Sequence, residues 1–463
     1  MTETTSSPTI SPVRRVHPRR YGWADLFGPL GVASVIIVIC IWLVNQGILS
    51  LTTFDSGIGS LGLLTGLLAS DLMLLQVILL ARIPWIERAW GHDLLAHRHR
   101  LLGLWSFWLL VAHILAYVVQ RSERAGGVTA AAMWDLFITE PWMLWATIGT
   151  VMIIVVVVTS IRIARTKLRY ESWHLLHLYA YLGLFFALPH QIADGADFHA
   201  VWTQVFWWSF YALALAAVLI WRVGVPIGQS VSHRLRVASV TPEAPGVVSV
   251  AVEGRHLDKL RTKSGQFFIW RFLDGPGWTR GNPYTISDAP TDSRLRVTIQ
   301  AAGDGSSRAA ALKVGTRVMI EGPYGTMTAE QRRHPKVLFL AAGVGITPLR
   351  ALIEDTPYLP GEAQLIYRYS SADHAIFERE LTELETRRGL QVTYLPGRRR
   401  DPVSWLPDGL QQGDSDELLA LVPDLVDRDI YVCGPPAWIR TVKKAAIGAG
   451  AKRDQIHSED FAW

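Results

Sequence analysis

Six apolar stretches, each near the ~20 residues that a helix needs to cross the hydrocarbon core of a bilayer, fill the first half of this 463-residue chain. They run roughly over 25–48, 59–82, 99–120, 141–163, 171–190 and 201–223. An ordinary soluble domain is not this apolar, so a membrane bundle is expected. The charges agree: residues 1–230 hold 15 Lys and Arg and 12 Asp and Glu, against 30 and 28 in residues 231–463. Fourteen of the 19 tryptophans also fall in the first half, as suits residues that favour the bilayer interface. The second half has the composition of a water-soluble domain. With only two cysteines, Cys40 and Cys433, the chain has no disulfide framework, cysteine-rich zinc site or cysteine-ligated iron–sulfur cluster. Any electron carrier is held by other ligands.

Loop charges orient the bundle. The first 20 residues contain Arg14, Arg15, Arg19 and Arg20 without a long apolar run, so they read as a basic tail and not as a cleavable signal. Arg82, Arg88 and Arg98 lie between spans two and three, with Arg100 at the start of the next helix, and Arg162, Arg165, Lys167 and Arg169 lie between spans four and five. Loops one and five have no Lys or Arg, and in loop three Arg121 and Arg124 are diluted by Glu123 and Asp135. The positive-inside rule then places both termini in the cytoplasm of a multi-pass cell-membrane protein.

Four histidines lie within or at the ends of spans three and five. His99 and His113 are 14 residues apart, about 21 Å of helix rise and within about 40° of one face. His177 and His190 are 13 apart. Both spans run from cytoplasm to exterior, so His99 is expected to meet His177 near the inner surface and His113 to meet His190 near the outer. Paired imidazoles at one depth suit the two axial positions of a haem iron, and two pairs suit two b-type haems. A single histidine in such a place more often lines a bundle interior; four at matched depths favour ligation. The 13-residue step leaves His177 and His190 about 140° out of phase on a regular helix, and Pro189 is placed to kink it. His174 and His97 compete as inner ligands.

From Ser232 to about Thr328 the pattern shifts to short alternating runs: 234–240, 247–253, 266–272, 294–301 and 316–321. Their hairpin spacing predicts a small antiparallel barrel. Within it, the segment from Arg280 to Pro290 sets Tyr284, Thr285 and Ser287 after a basic residue, a composition suited to stacking on a flavin and bonding its ring. Gly303, Asp304, Gly305 and Ser306 open a helical stretch ending near Leu312, whose free N–H groups suit a pyrophosphate. After Pro335 strands and helices alternate. A strand from Lys336 enters the turn Gly343-Val-Gly345, with Thr347 and Pro348 beginning a helix through Ile353. Both glycines are expected to let phosphate approach the backbone. Strands at 363–369, 390–395 and 429–433 follow, the last running into Gly434, Pro435 and Pro436.

These residues resemble the ferric reductase and NADPH oxidase superfamily over nearly the whole chain. The resemblance is carried by His99-Arg-Leu-Leu-Gly103 with His113, by Tyr170-Glu-Ser-Trp-His-Leu-Leu-His177 with His190, by Pro283-Tyr284-Thr285 with Ser287, by the Gly322–Gly325 element, and by the turns at Gly343–Pro348 and Cys433–Pro436. It implies a multidomain fold: a cytoplasmic basic tail (1–22), a six-span helical haem domain (23–228), an antiparallel β-barrel FAD domain (232–328) and an α/β parallel-sheet NAD(P)-binding domain (334–463). It also implies that Thr285, Cys433 and Glu459 form the polar set around the reactive flavin nitrogen, and that Phe461, better matched than Trp463, covers the flavin until the nicotinamide displaces it. Asn282 stands where relatives often carry a basic or imidazole side chain, which leaves Arg280 to neutralise the flavin phosphate. Tyr117 stands where true oxidases carry a further histidine, so the resemblance does not secure superoxide production.

The expected activity is transfer of electrons from cytoplasmic NADPH or NADH through FAD and two haems to an external ferric chelate or dioxygen. Arg368, Ser370, Arg398 and Arg399 follow the second and third strands of the nucleotide sheet, where a 2′-phosphate would lie, and favour NADPH; a solvated basic loop is the alternative. Membrane lipid is an expected partner and nucleic acid is not, while partner subunits stay open. A competing reading is a nucleotide-sensing transporter or channel whose histidines pass protons or metal. Another keeps the enzyme and changes the acceptor to a quinone or a methionine sulfoxide system.

Overall fold

A computed structural model describes residues 26–45, 47–124, 142–161, 170–195, 200–275, 281–410 and 412–459, with Gly127, Trp134 and Glu140 between them. The basic tail, the arginines of loop four, Arg280 and Phe461 lie outside the described residues. The chain divides into a helical unit, essentially 21–223, and a mixed unit from Gly224 to the C-terminus.

Six long apolar helices make up the first unit: α1 (Phe27–Val44), α2 (Phe54–Leu79), α3 (His92–Arg124), α4 (Met143–Ser160), α5 (Tyr170–Asp194) and α6, which begins at Val201. Their outward surfaces carry Leu30, Ile36, Leu101, Trp105, Trp108, Leu115 and Phe185 in exposed positions. Such a surface is stable against lipid, and this is a multi-pass membrane protein. A core of Val38, Leu74, Ile78, Leu95, Trp207, Phe210 and Ala214 lies inside. Small residues set the close approaches. A Cβ added at Gly62 would sit 3.1 Å from the Ala116 Cβ, and one at Gly66 would sit 2.5 Å from His113 Nδ1, so α2 meets α3 through a glycine face. The sixth helix does not stop near residue 223 but continues to His233 through a π-helical segment at Val218–Gly224. Gly224 and Pro226 stand where the end was expected, but Pro226 falls in the first turn of the last segment, where its missing N–H costs little, and the π segment absorbs the register change.

The second unit has two lobes. Strands β1 (Arg236–Ala244), β2 (Val247–Glu253), β3 (Phe267–Phe272), β4 (Asn282–Thr285), β5 (Arg294–Gln300) and β6 (Val318–Tyr324) form antiparallel sheets in the orders β1-β2-β5 and β4-β3-β6. Bridges Arg236↔Arg317 and Ile286↔Val297 join them around a core that includes Val250, Phe268, Trp270, Ile286 and Val297. Six strands form where five were expected. The extra one is the segment around Pro283 and Tyr284, too short and proline-bearing to stand out by alternation. In the second lobe β7 (Lys336–Ala342), β8 (Ala363–Tyr369), β9 (Gln391–Pro396), β10 (Arg428–Cys433) and β11 (Ile456–Ser458) lie parallel in the order β11-β10-β7-β8-β9. The helices α7 (Ile346–Asp355), α8 (Glu378–Arg388), α9 (Asp414–Leu421) and α10 (Pro436–Gly448) cover it. Val337, Phe339 and Ala341 enter one core while Leu338, Leu340 and Ala342 enter the other, which explains why β7 reads as an unbroken apolar run. The three-residue β11 gives no such signal and was not foreseen.

An ion-pair cluster ties the lobes together. Arg350 Nη1 donates to Asp288 Oδ1 at 2.6 Å and to Glu354, while Arg350 Nε lies 2.6 Å from Glu380 Oε2. Arg296 donates to both Glu380 oxygens at 2.7 and 2.8 Å. Burial alone would raise the Asp288 carboxyl, but the charges of Arg350 and Arg296 hold it below the usual carboxylate range. Burial likewise works against Glu380, and its bonds with Arg296 prevail. Depressed carboxylates stabilise the fold above the unfolded values of about 4 and lose that contribution as pH falls through the folded ones. Glu380→Gln is therefore expected to cost roughly 1–3 kcal/mol at neutral pH and to flatten the loss of thermal stability below about pH 4. Melting curves of the purified chain across pH check both effects.

Candidate functional site

In the helical unit His99 and His177 meet. The rings of His99 and His177 have centroids 6.0 Å apart. This spacing is of the order at which two imidazoles would share one metal ion, with metal–nitrogen bonds of about 2.0–2.1 Å. His99 Nδ1 lies 3.1 Å from the Gln76 carbonyl and His113 Nδ1 lies 2.8 Å from the Gly62 carbonyl, both on α2. A carbonyl only accepts, so each Nδ1 carries the proton and each neutral imidazole keeps its lone pair on Nε2, the tautomer of a metal-ligating histidine. His177 Nδ1 pairs with Ser160 Oγ at 3.2 Å, and Trp173 packs on the His177 ring at 5.2 Å. His177 is thus an α5 ring set against His99. At the other level of the bundle His190 stands within electrostatic reach of His113, and Tyr117 lies 5.1 Å from the His113 ring centre. Pro189 sits inside the continuous α5 helix beside His190. Among the described residues no three His, Cys, Asp or Glu side chains gather around a point. Two imidazoles with their Nδ1 protons engaged are a donor set that fits haem iron. The acceptors Gln76 and Gly62 were invisible to sequence reading, because they act through backbone carbonyls.

The barrel segment places its residues unequally. Asn282, Pro283 and Tyr284 are partly exposed on β4, and Thr285 is buried at its end. Burial pushes the Tyr284 hydroxyl up to about 12, so it stays a phenol. Ser287 is fully buried and its Oγ accepts from Thr298 Oγ1 at 2.8 Å; it braces the barrel where sequence reading expected a flavin contact. Arg271 on β3, not foreseen, brings its guanidinium to within 3.0 Å of where a Cβ at Gly281 would lie, and pairs with Glu321 at 3.5 Å. At the other flavin turn, Gly303 precedes a helical turn at Asp304–Ser307, and Ser306 Oγ accepts from the Ala302 and Gly303 amides at 2.8 and 3.0 Å.

In the parallel sheet the first strand, β7, has β8 on one side and β10 on the other, so the crevice opens at the carboxyl ends of β7 and β10. The two glycines there differ in role. Gly343 has φ +55° and open space around it. Gly345 packs on the neighbouring wall: a Cβ there would overlap the Cys433 carbonyl and lie 2.7 Å from the Gly434 Cα. Gly345 thus joins the two turns, while Gly343 is the one left open. Thr347 and Pro348 are buried in the first turn of α7, while Gly434 lies against Trp438 and Ala342, and Pro435 caps α10. Cys433 is buried, and burial followed by the Glu459 charge pushes its thiol pKa up, so it stays protonated. The Glu459 carboxylate accepts from the Thr326 amide and from the Met327 amide at 3.2 Å. Thr285 pairs with Phe267 and Phe267 with Tyr324, next to Gly325, so Thr285, Cys433 and Glu459 converge on one region of this unit.

The arginines separate as well. Arg399 donates to the Ser404 carbonyl and to Thr441 Oγ1 at 3.2 Å, and Arg400 donates to Leu410 O and to Asp414; both hold the loop. Arg398 and Ser370 are exposed. Arg368 is half-buried, and burial followed by the repulsion of Arg399 lowers its pKa. Two crowded guanidiniums make a place where an anion is stabilised.

Comparison with known proteins matches residues 65–188 to the family described as the ferric reductase like transmembrane component, and residues 339–444 to the oxidoreductase NAD-binding domain. The ferredoxin reductase component of 3-ketosteroid-9-alpha-monooxygenase from Mycolicibacterium smegmatis is 30% identical over 246 residues, covering 51% of this chain and 67% of that protein. A flavohemoprotein from Vibrio cholerae is 28% identical over 200 residues, covering 41% of this chain and 48% of the relative. Among solved structures, the FAD/NAD-binding domain of the Vibrio cholerae nitric oxide dioxygenase aligns with 23% identity and a TM-score of 0.40, over 49% of this chain and 98% of that one. The chain spans between about half and two thirds of the length of these curated relatives.

Gly345→Ala is expected to force the Gly343 turn and the end of β10 apart. The Michaelis constant for the nicotinamide nucleotide should rise at least about tenfold, and the melting temperature should fall by several degrees, about 2–3 kcal/mol of overpacking. Gly343→Ala adds no clash and should cost about 1 kcal/mol, the penalty of a left-handed non-glycine residue. Kinetics and melting curves of the two variants side by side test the division of roles.

Proposed function

This chain belongs to the ferric reductase and NADPH oxidase superfamily, a ferric-reductase-like membrane domain fused to a ferredoxin-NADP reductase-type module, and from that premise we propose that it moves electrons from cytoplasmic NADPH across the membrane to an external acceptor. When bound, FAD exchanges a hydride for single electrons, and two haems relay those electrons one at a time. The chain's own residues do the rest. Gly343 and the N-terminus of α7 take the dinucleotide phosphates, and Arg368, Ser370 and Arg398 take the 2′-phosphate. Tyr284 and Thr285 orient the flavin ring, with Arg271 or Arg280 beside its phosphate. Protonated Cys433 and the amide-bound Glu459 line the place where nicotinamide meets flavin. His99 and His177 hold the inner iron, and His113 and His190 the outer. With both termini cytoplasmic, the outward electron step is favoured by about 2.3 kcal/mol per 100 mV of inside-negative potential. The acceptor is a ferric chelate or dioxygen.

The observation that carries this reading is the His99–His177 pair, 6.0 Å apart, with the Nε2 of His99 left free by the Gln76 bond. An anaerobic spectrum of the purified protein should show flavin and haem bands that both bleach or shift on adding NADPH. His177→Ala should halve the haem content and His174→Ala should leave it whole. A preparation colourless in the Soret region after hemin reconstitution would dispose of the conduit and favour a haem-free transporter. Superoxide dismutase-sensitive cytochrome c reduction against ferrozine-detected Fe(II) assigns the acceptor.

Arg398→Ala should cut the preference for NADPH over NADH about tenfold or more with an unchanged melting temperature, since its side chain braces nothing. Arg399→Ala should lower the melting temperature as well, because it releases the Ser404 and Thr441 bonds. Equal preference ratios in wild type and Arg398→Ala would remove the 2′-phosphate assignment.

A further inference from the structure

Asp71, within α2, is fully buried in an otherwise apolar bundle core. A carboxyl in such a place is expensive and calls for a role. Its Oδ2 lies 3.2 Å from Ser34 Oγ on α1, and that hydroxyl donates to the Gly31 carbonyl at 2.9 Å. Its Oδ1 is buried with no hydrogen-bond partner. Ser34 has a single hydrogen. With Asp71 protonated on Oδ2, a complete chain forms, from Asp71 O–H to Ser34 O–H to the Gly31 carbonyl. With Asp71 ionised, Ser34 must abandon Gly31 or leave both carboxylate oxygens bare. The geometry therefore provides a place for one proton.

The position relates that proton to the histidine levels. Asp71 stands five residues from Gly66, which abuts His113, and five from Gln76, which accepts from His99. Each step is about 7.5 Å of helix rise, so Asp71 lies between the two levels. Among the described residues, α1 brings Cys40, α3 brings His99 and His113, α5, which reaches α2 through the Gln191–Ser70 bond, brings His190, and α6 brings Tyr211, whose hydroxyl is committed to Gln191, and Arg222, whose charge falls on Tyr181. None of them pairs with the Asp71 carboxyl, whose polar contact is the Ser34 hydroxyl, so an electron arriving at either level is felt directly.

We propose that Asp71 is a proton-binding site coupled to the electron in the bundle, an inference that rests on the conduit reading above. When one electron enters, the carboxylate takes one proton and forms an Oδ2–H bond; when the electron leaves, that bond breaks and the proton departs. One negative and one positive charge enter and leave together, and no other group is oxidised or reduced. Ser34, near the start of α1, gives the route toward the cytoplasmic side.

The test is a spectroscopic redox titration of the purified full chain between pH 6 and 8. At least one haem midpoint should fall with rising pH toward one proton per electron, about 59 mV per unit. Asp71→Asn should abolish the slope and Asp71→Glu should keep it. A flat wild type, or a slope that persists in Asp71→Asn, overturns the proposal. Absence of haem in the wild type instead overturns the conduit reading. Should Asp71→Asn fail to assemble, redox-difference infrared spectra of the wild type decide: a protonated-carboxyl band must appear on reduction, and its absence is equally fatal.

Discussion

Two imidazole N–H groups donating to backbone carbonyls of a neighbouring helix set the terms for the membrane half. A histidine on a long helix rotates freely among rotamers and between tautomers, and neither its depth nor its face fixes where the lone pair points. The Gln76 and Gly62 carbonyls remove that freedom, because Nδ1 must carry the proton to meet them. The glycine face of α2 is the precondition. Without the space at Gly62 and Gly66, α3 could not come close enough for its rings to reach α2's backbone. Small residues here serve packing, as in other membrane bundles, and packing in turn orients chemistry.

The soluble half solves a related problem with charge. Strand β4 ends at Thr285, and Asp288 three residues on is held by Arg350 from the helix that follows the Gly343 turn. Arg296 and Glu380 close the cluster. The two lobes are thereby fixed at the residues flanking the places where nicotinamide and flavin have to meet. Hydride transfer tolerates little misplacement, so a rigid joint at this point matters more than stability elsewhere. The same economy appears at Gly345, where the absence of a side chain allows the turns after β7 and β10 to touch.

Much of this was legible from the amino-acid order. Six spans, a barrel, a parallel sheet and the pairing of His99 with His177 follow from periodicity, composition and depth, because apolar length and helical phase are one-dimensional properties. β4 and β11 escaped notice, since three or four residues carry too little alternation to register. The end of the sixth helix was misplaced by about ten residues, because a π segment leaves no compositional mark.

The chain order alone determined which residues sit at which level of the membrane and which loops close the nucleotide crevice. Only the tertiary structure decided between equals: Gly343 over Gly345 for an open approach, Arg398 over Arg399 for a free cation, and Ser287 as a brace. The reason is the same each time. Neighbours in sequence share composition and motif, but what a side chain can do depends on the groups brought to it from elsewhere, and those partners stand from 5 to 88 positions away, Ser404 beside Arg399 and Cys433 beside Gly345 being the extremes of the free-cation and glycine pairs.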